Sequence, residues 1–175
     1  MLGYDAANWG VAAGYDVIKG SGETIPTNWN RLTRDEKDRR WNINGYVKFG
    51  DAKVGLIYLN RKNDAGINAA PIGSRLGDRS DLWTLNASYQ VSPAVMLDGS
   101  VNYMRFKDAD ESSKAWYYVA RATYSLSKRT SVYTSVAYMK NKGLSNFSAA
   151  GGTAGLFAEP GGNSTAVMAG LRHNF

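Results

Sequence analysis

Six charged side chains fall on the polar side of alternating runs: Lys48, Lys53, Arg61, Asp98, Arg121 and Arg172, with Tyr133 in the same pattern. Cations spaced along such runs and facing water do one kind of chemistry well. They set a potential for mobile ions and make no bonds. Bond-making chemistry has little to draw on. There is no cysteine, hence no disulfide framework and no thiolate metal site. The single histidine, His173, leaves no His cluster for a metal and no base for a nucleophile elsewhere in the chain. It falls on the apolar side of its run. No catalytic residue, metal ligand or cofactor is expected.

Period-two alternation must position those charges. "WNINGYVKFG", "KVGLIYLNR", "DLWTLNASYQV", "VMLDGSVNYMRF", "WYYVARATYSL", "SVYTSVAYM" and "TAVMAGLRHNF" alternate throughout, and "NWGVAAGYDV" does so more weakly. This predicts about eight strands of nine to eleven residues and no helix between them. No apolar run is long enough for a membrane helix. The start, "MLGYDAANWG", lacks the basic and apolar regions of a signal peptide. Connections alternate in length. Turns at 50–52, 91–94 and 127–130 are short, whereas 18–39, 62–80, 107–115 and 141–163 read as long solvated loops. An all-β, antiparallel up-and-down meander follows, forming a single region over residues 1–175.

The two faces decide the environment. On the apolar face, aromatic residues gather at two heights. Trp41, Tyr58, Trp83, Tyr103, Trp116 and Tyr138 lie toward the long loops. Trp9, Phe49, Tyr89, Tyr124 and Phe175 lie toward the short turns. Val, Leu, Ile, Ala and Gly fill the space between. Aromatic belts bracketing an aliphatic band match a lipid-facing barrel wall, because Trp and Tyr favour the headgroup level. A soluble core would hold its large aromatics in the middle. The opposite face carries amides, hydroxyls and charges that a dry interior could not bury unpaired. Its basic residues are Lys48, Lys53, Arg61, Arg121 and Arg172, against chiefly Asp16 and Asp98. With too few acids to pair them all, a positive lumen favouring anions is expected, with Arg121 first in line for solute contact.

The segment "YSLSKRTSVYTSVAYMKNK" and the ending "GLRHNF" resemble the end of Gram-negative general porins of the beta-proteobacterial Neisseria, Bordetella and Burkholderia type. The Tyr-x-Leu-Ser-Lys-Arg-Thr-x-x-Tyr turn (124–133) and Gly-Leu-Arg-His-x-Phe (170–175) carry that resemblance, and the earlier meander agrees in rhythm. It implies the second half of a sixteen-stranded barrel, usually trimeric, that passes small hydrophilic solutes across the outer membrane. The inward constriction loop of such porins belongs to the first half, so no constriction residue is carried over. Residues 1–7 read as the stump of a preceding strand and its turn. Three forms stay open: a fragment, one half of an assembled barrel, or an eight-stranded barrel closed on itself.

The expected partners are the lipid bilayer, lipopolysaccharide, small ions and solutes, and further copies of the chain. Thr165, Ala169 and Gly170 would let a neighbouring subunit pack on the last strand. Phe175 resembles the terminal aromatic read by the barrel-assembly machinery. Nucleic acid is not expected, since no loop sets aromatics among basic residues. The alternative function is a closed structural or adhesive outer-membrane barrel without an open pore.

Overall fold

The computed structural model describes residues 1–19, 37–64, 79–107, 113–150 and 158–175. Nine strands lie within them: β1 (Leu2–Asp5), β2 (Trp9–Lys19), β3 (Lys37–Phe49), β4 (Ala52–Asn63), β5 (Arg79–Ser92), β6 (Val95–Lys107), β7 (Lys114–Ser125), β8 (Thr130–Lys142) and β9 (Asn163–His173). They form one antiparallel sheet in chain order, with β1 and β9 at its edges. No helix is long and apolar enough to cross a membrane among the described residues.

Beside the eight expected strands stands β1, four residues within the stretch read as the stump of a preceding strand, paired with Gly10–Ala13. The strands also run longer than expected. β3 begins at Lys37, inside the stretch expected to be loop. Its first residues, Lys37 to Arg40, are charged on both faces, so alternation carries no signal there. A strand of 13 residues such as β3 or β8 is about 40 Å long. Tilted by about 45°, it crosses an apolar layer of about 30 Å.

Register makes the two faces continuous. Tyr58 stands opposite Trp83, Trp83 opposite Tyr103 and Tyr103 opposite Trp116, across four strands in turn. Directly opposed residues share a face, so parity passes from strand to strand. Turn chemistry holds this register. Gly50 adopts φ 56°, which suits the two-residue turn between β3 and β4 and disfavours other residues. In the β5–β6 turn, Ser92 Oγ accepts from the amides of Ala94 and Val95. Ser127 Oγ accepts from those of Arg129 and Thr130 before β8. A hydroxyl that takes up two turn amides fixes the bend.

The sheet has almost no conventional core. Among the described residues, the buried apolar side chains are Phe106, Ala115, Ala137, Met139 and Ala149, all toward the long-loop end. Large apolar side chains stand exposed instead, with Val167 at 76% and Leu171 at 65%. In water such a surface would drive aggregation. Against lipid it needs no cover, because the ladder satisfies the backbone polar groups that pair within the sheet.

Candidate functional site: the polar face of the sheet

Cross-strand pairing places every expected lining residue on one face: Lys48, Lys53, Arg61, Asp98, Arg121, Tyr133 and Arg172. Between the charges runs a lattice of amides and hydroxyls. Thr84 Oγ1 donates to Asn102 Oδ1 at 2.7 Å, and Asn102 Nδ2 donates to Ser100 Oγ at 3.1 Å and to the Tyr117 carbonyl at 3.2 Å. Side chains that bond along the wall keep further lone pairs and donors for water. Such a surface suits hydrated solutes rather than a dry core.

The charges are not scattered singly. Toward the long loops, the carboxylate of Asp38 is fully buried between two arginines. Arg40 Nη2 donates to it at 2.6 Å, and Arg61 donates through Nε at 3.0 and 3.1 Å and Nη2 at 2.9 Å. Midway along β7, Arg121 Nε donates to both oxygens of Asp98 at 3.1 and 2.9 Å. Two of the five expected basic residues are therefore paired. Arg61 is taken up by Asp38, which lies in the stretch expected to be loop, and Arg121 is held against the wall by Asp98. Asp5, Asp38 and Arg40 were not foreseen. Their signal was parity, since Asp38 and Arg40 share it with Asn42 and Asn44.

Near the short turns the arrangement differs. Lys48 and Lys53 stand directly opposite each other, with ammonium groups over the Tyr46 ring at 5.5 and 4.0 Å. Like charges in that register repel, and the ring face offsets part of the repulsion. Tyr46 is fixed in turn by its hydroxyl, which donates to Asp5 at 2.8 Å. It lies over Gly10, where a Cβ would come within 2.6 Å of the ring. Tyr133 lies over Gly170 in the same way, and a Cβ there would collide with its hydroxyl and ring. Gly170 thus faces the polar side with Tyr133, not the lipid side with Thr165 and Ala169 as a subunit contact would require. Among the described residues, Arg172 Nε reaches only Asn174 Oδ1, at 3.4 Å.

Residues 143–150 correct another expectation. They belong to a stretch expected to be solvated loop, yet they pack onto the polar face of β7–β9. Asn141 is the latch, donating to the carbonyls of Phe147 and Gly162 and accepting from the Phe147 amide. Tyr117 donates to the Ala149 carbonyl, Ser164 Oγ accepts from the Ala149 amide, and Phe147 stacks on Phe106. The wall beneath is apolar: Ala115, Val119, Ala137, Met139 and Ala166. An apolar patch on a wet face gains by being covered, which is why this segment lies flat.

The other face carries the expected aromatics. Ring contacts join Trp41 to Tyr58 at 5.0 Å, Tyr58 to Trp83 at 4.2 Å and Tyr103 to Trp116 at 5.0 Å. Tyr138 stands opposite Tyr118, one row nearer the middle. Toward the short turns, Trp9, Phe49, Tyr89 and Tyr124 are exposed on the same face. His173 joins them, as parity required. It meets Thr130 Oγ1 at 2.9 Å and the Phe175 ring edge-on at 5.0 Å. No cluster of His, Asp or Glu able to hold a metal occurs among the described residues.

Comparison with known proteins follows this geometry. Residues 1–144 match the family described as Gram-negative porin. No curated protein matches the sequence. Among solved structures, the anion-selective porin from Comamonas acidovorans superposes with a TM-score of 0.77 at 23% identity, covering 99% of this chain and 47% of that one. OmpT, an outer membrane protein of Vibrio cholerae, superposes with a TM-score of 0.65 at 17% identity, covering 99% of this chain and 53% of that one. The chain thus spans about half the length of the structures it matches. With a family match over most of its length, on a wall with one lipid-facing and one wet side, the chain belongs to the Gram-negative porin family and is an outer-membrane protein.

Proposed function

We propose that this chain forms part of the wall of a water-filled pore for passive diffusion of small hydrophilic solutes, with a preference for anions. One observation carries the reading. Alternate residues of the same strands face two solvents, aliphatic between aromatic belts on one side and amide, hydroxyl and charge on the other. A polar lattice of this kind suits a water-filled barrel, and the second reading, a closed structural barrel, would have to fill it with an inner polar network. The polar face carries Arg40, Lys48, Lys53, Arg61, Arg121 and Arg172 against Asp5, Asp16, Asp38 and Asp98, so its balance is positive. With Asp38 and Asp98 engaged, Lys48, Lys53 and Arg172 are the cations left to act on ions. The Comamonas porin of similar fold is anion-selective, which agrees in direction.

The same reading takes the chain as the C-terminal half of a porin of the beta-proteobacterial type, assembled as a trimer. The resemblance carried by the Tyr-x-Leu-Ser-Lys-Arg-Thr-x-x-Tyr turn (124–133) and by Gly-Leu-Arg-His-x-Phe (170–175) supports it. Reconstitution of the closed barrel containing this chain into planar bilayers tests the function. Stepwise conductance with a reversal potential favouring chloride over potassium is the expected result. Absence of conductance from correctly assembled protein would refute the pore and favour a structural barrel. The copy number in the native particle, from cross-linked mass, tests the trimer.

A further inference from the structure

Two adjacent rows of the polar face, near the short turns, differ from the lattice beside them. One runs Tyr46, Gly55, Asn86 across β3, β4 and β5, and the next runs Lys48, Lys53, Ser88 across the same strands. Farther along the wall the polar side chains are taken. Thr84, Ser100 and Asn102 bond to one another, and Asp98 holds Arg121. In these two rows they are not. Among the described residues no carboxylate pairs with Lys48 or Lys53, and the side chains of Asn86 and Ser88 make no hydrogen bond.

The backbone gives these groups a common centre. A Cβ at Gly55 would lie 2.7 Å from Asn86 Oδ1 and 3.3 Å from its Nδ2, so the amide leans over the glycine from one side. Tyr46 stands on the other side, fixed by its hydroxyl bond to Asp5. Lys53 follows Gly55 on the same strand face, with Lys48 and Ser88 on either side of it. Folding alone does not favour two lysines in direct opposition. The one ring between them offsets part of their repulsion, and an anion held by both would remove the rest.

We propose that Lys48, Lys53, Asn86 and Ser88, around the floor at Gly55, bind a phosphate dianion, either free or as a small phosphate monoester. The donors surround one floor residue rather than following a strand, which suits a compact anion with oxygens on all sides. Two ammonium groups supply the charge, and an amide and a hydroxyl supply directional donors that chloride cannot use fully. The site rests on reading this face as the solute path, and it names one class of solute for that path.

The test titrates the closed barrel in detergent with inorganic phosphate and reads the heat of binding. Saturable binding that outcompetes chloride at equal concentration is the expected result. Lys48→Gln with Lys53→Gln should weaken it about tenfold, at the scale of two exposed ion pairs. Asn86→Ala with Ser88→Ala leaves the charge as it is and should weaken it about fivefold, at the scale of two hydrogen bonds. Glycerol phosphate tells the two sources apart: equal affinity upholds a site for monoesters, and much weaker affinity upholds a site for the free ion. Unchanged phosphate affinity in both variants would overturn the proposal. So would displacement by equal chloride, or tighter binding of a short dicarboxylate, which would mean that each lysine takes a carboxylate of its own. Should the lysine variant not assemble, the Asn86 and Ser88 variant decides. Titration needs no current, so a barrel that conducts but binds no phosphate fails this proposal alone, and one that does not conduct fails the pore reading.

Discussion

Replacing both Lys48 and Lys53 by glutamate should weaken or invert the pore's preference for anions. The two ammonium groups face each other across β3 and β4 over one tyrosine ring, and neither has an acid partner among the described residues. An ion about 10 Å from one such charge in water gains or loses about 0.4 kcal/mol, which physiological salt cuts to roughly 0.1 kcal/mol. The double reversal moves four charge units, so an anion loses about 0.5 kcal/mol and a cation gains as much. The ratio of anion to cation permeability should then fall about fivefold, or about twofold for the double glutamine variant. Focusing by low-dielectric walls pushes the effect upward. The assay is the reversal potential across a salt gradient, with heat-modified gel mobility confirming assembly. A ratio within about 1.5-fold of the parent, in a barrel of native mobility, would show that these lysines do not act on the ion path.

Four further outcomes follow from the geometry. Asp38→Asn removes the buried carboxylate between Arg40 and Arg61; stability to urea should drop by about 3 kcal/mol, and anion preference should rise as two guanidinium groups are released. A stable variant with unchanged selectivity contradicts both. Gly170→Ala drives a methyl into Tyr133 and should cost about 1 kcal/mol, and adding Tyr133→Ala should restore part of it in thermal unfolding. Asn141→Ala cuts three hydrogen bonds to the segment 143–150 and the turn at Gly162, so single-channel conductance should increase; an unchanged value means the segment holds without its latch. Phe175→Ala, or a polar tail after Phe175, should reduce insertion in cells while the purified protein still refolds in detergent. Normal cellular assembly of both variants removes the signal role.

Alternation is dictated by backbone geometry, so it was legible wherever one side met lipid and the other water. From Trp41 to Phe49 every residue falls on the face its parity predicts, and the same holds across the sheet to Leu171. Legibility ended where both faces meet water. Lys37, Asp38, Arg39 and Arg40 are strand residues whose composition reads as loop, and their pairing with Arg61 and Asp64 depends on register, not on neighbours in sequence. For the same reason, parity puts Arg121 and Asp98 on one face, but only register sets them side by side, 23 residues apart in the chain. The segment 143–150 was hidden differently. Gly, Ser, Asn and Ala give no period, and its anchors at Ser113, Lys114 and Tyr117 lie some thirty residues back in the chain.

The unbroken alternation has a consequence for how such a chain can change over time. Lys48 reports to the solute path and Val47 to the bilayer, though they are adjacent in the chain. The strands hold two interleaved texts, one read by permeating ions and one by lipid. Selection can rewrite either text letter by letter without smudging the other, provided the spacing holds. A single inserted residue within a strand would exchange the two for the rest of that strand, setting charges against acyl chains and leucines against water. Diversity in such a wall should accumulate as substitutions within strands, and changes of length should collect in the loops.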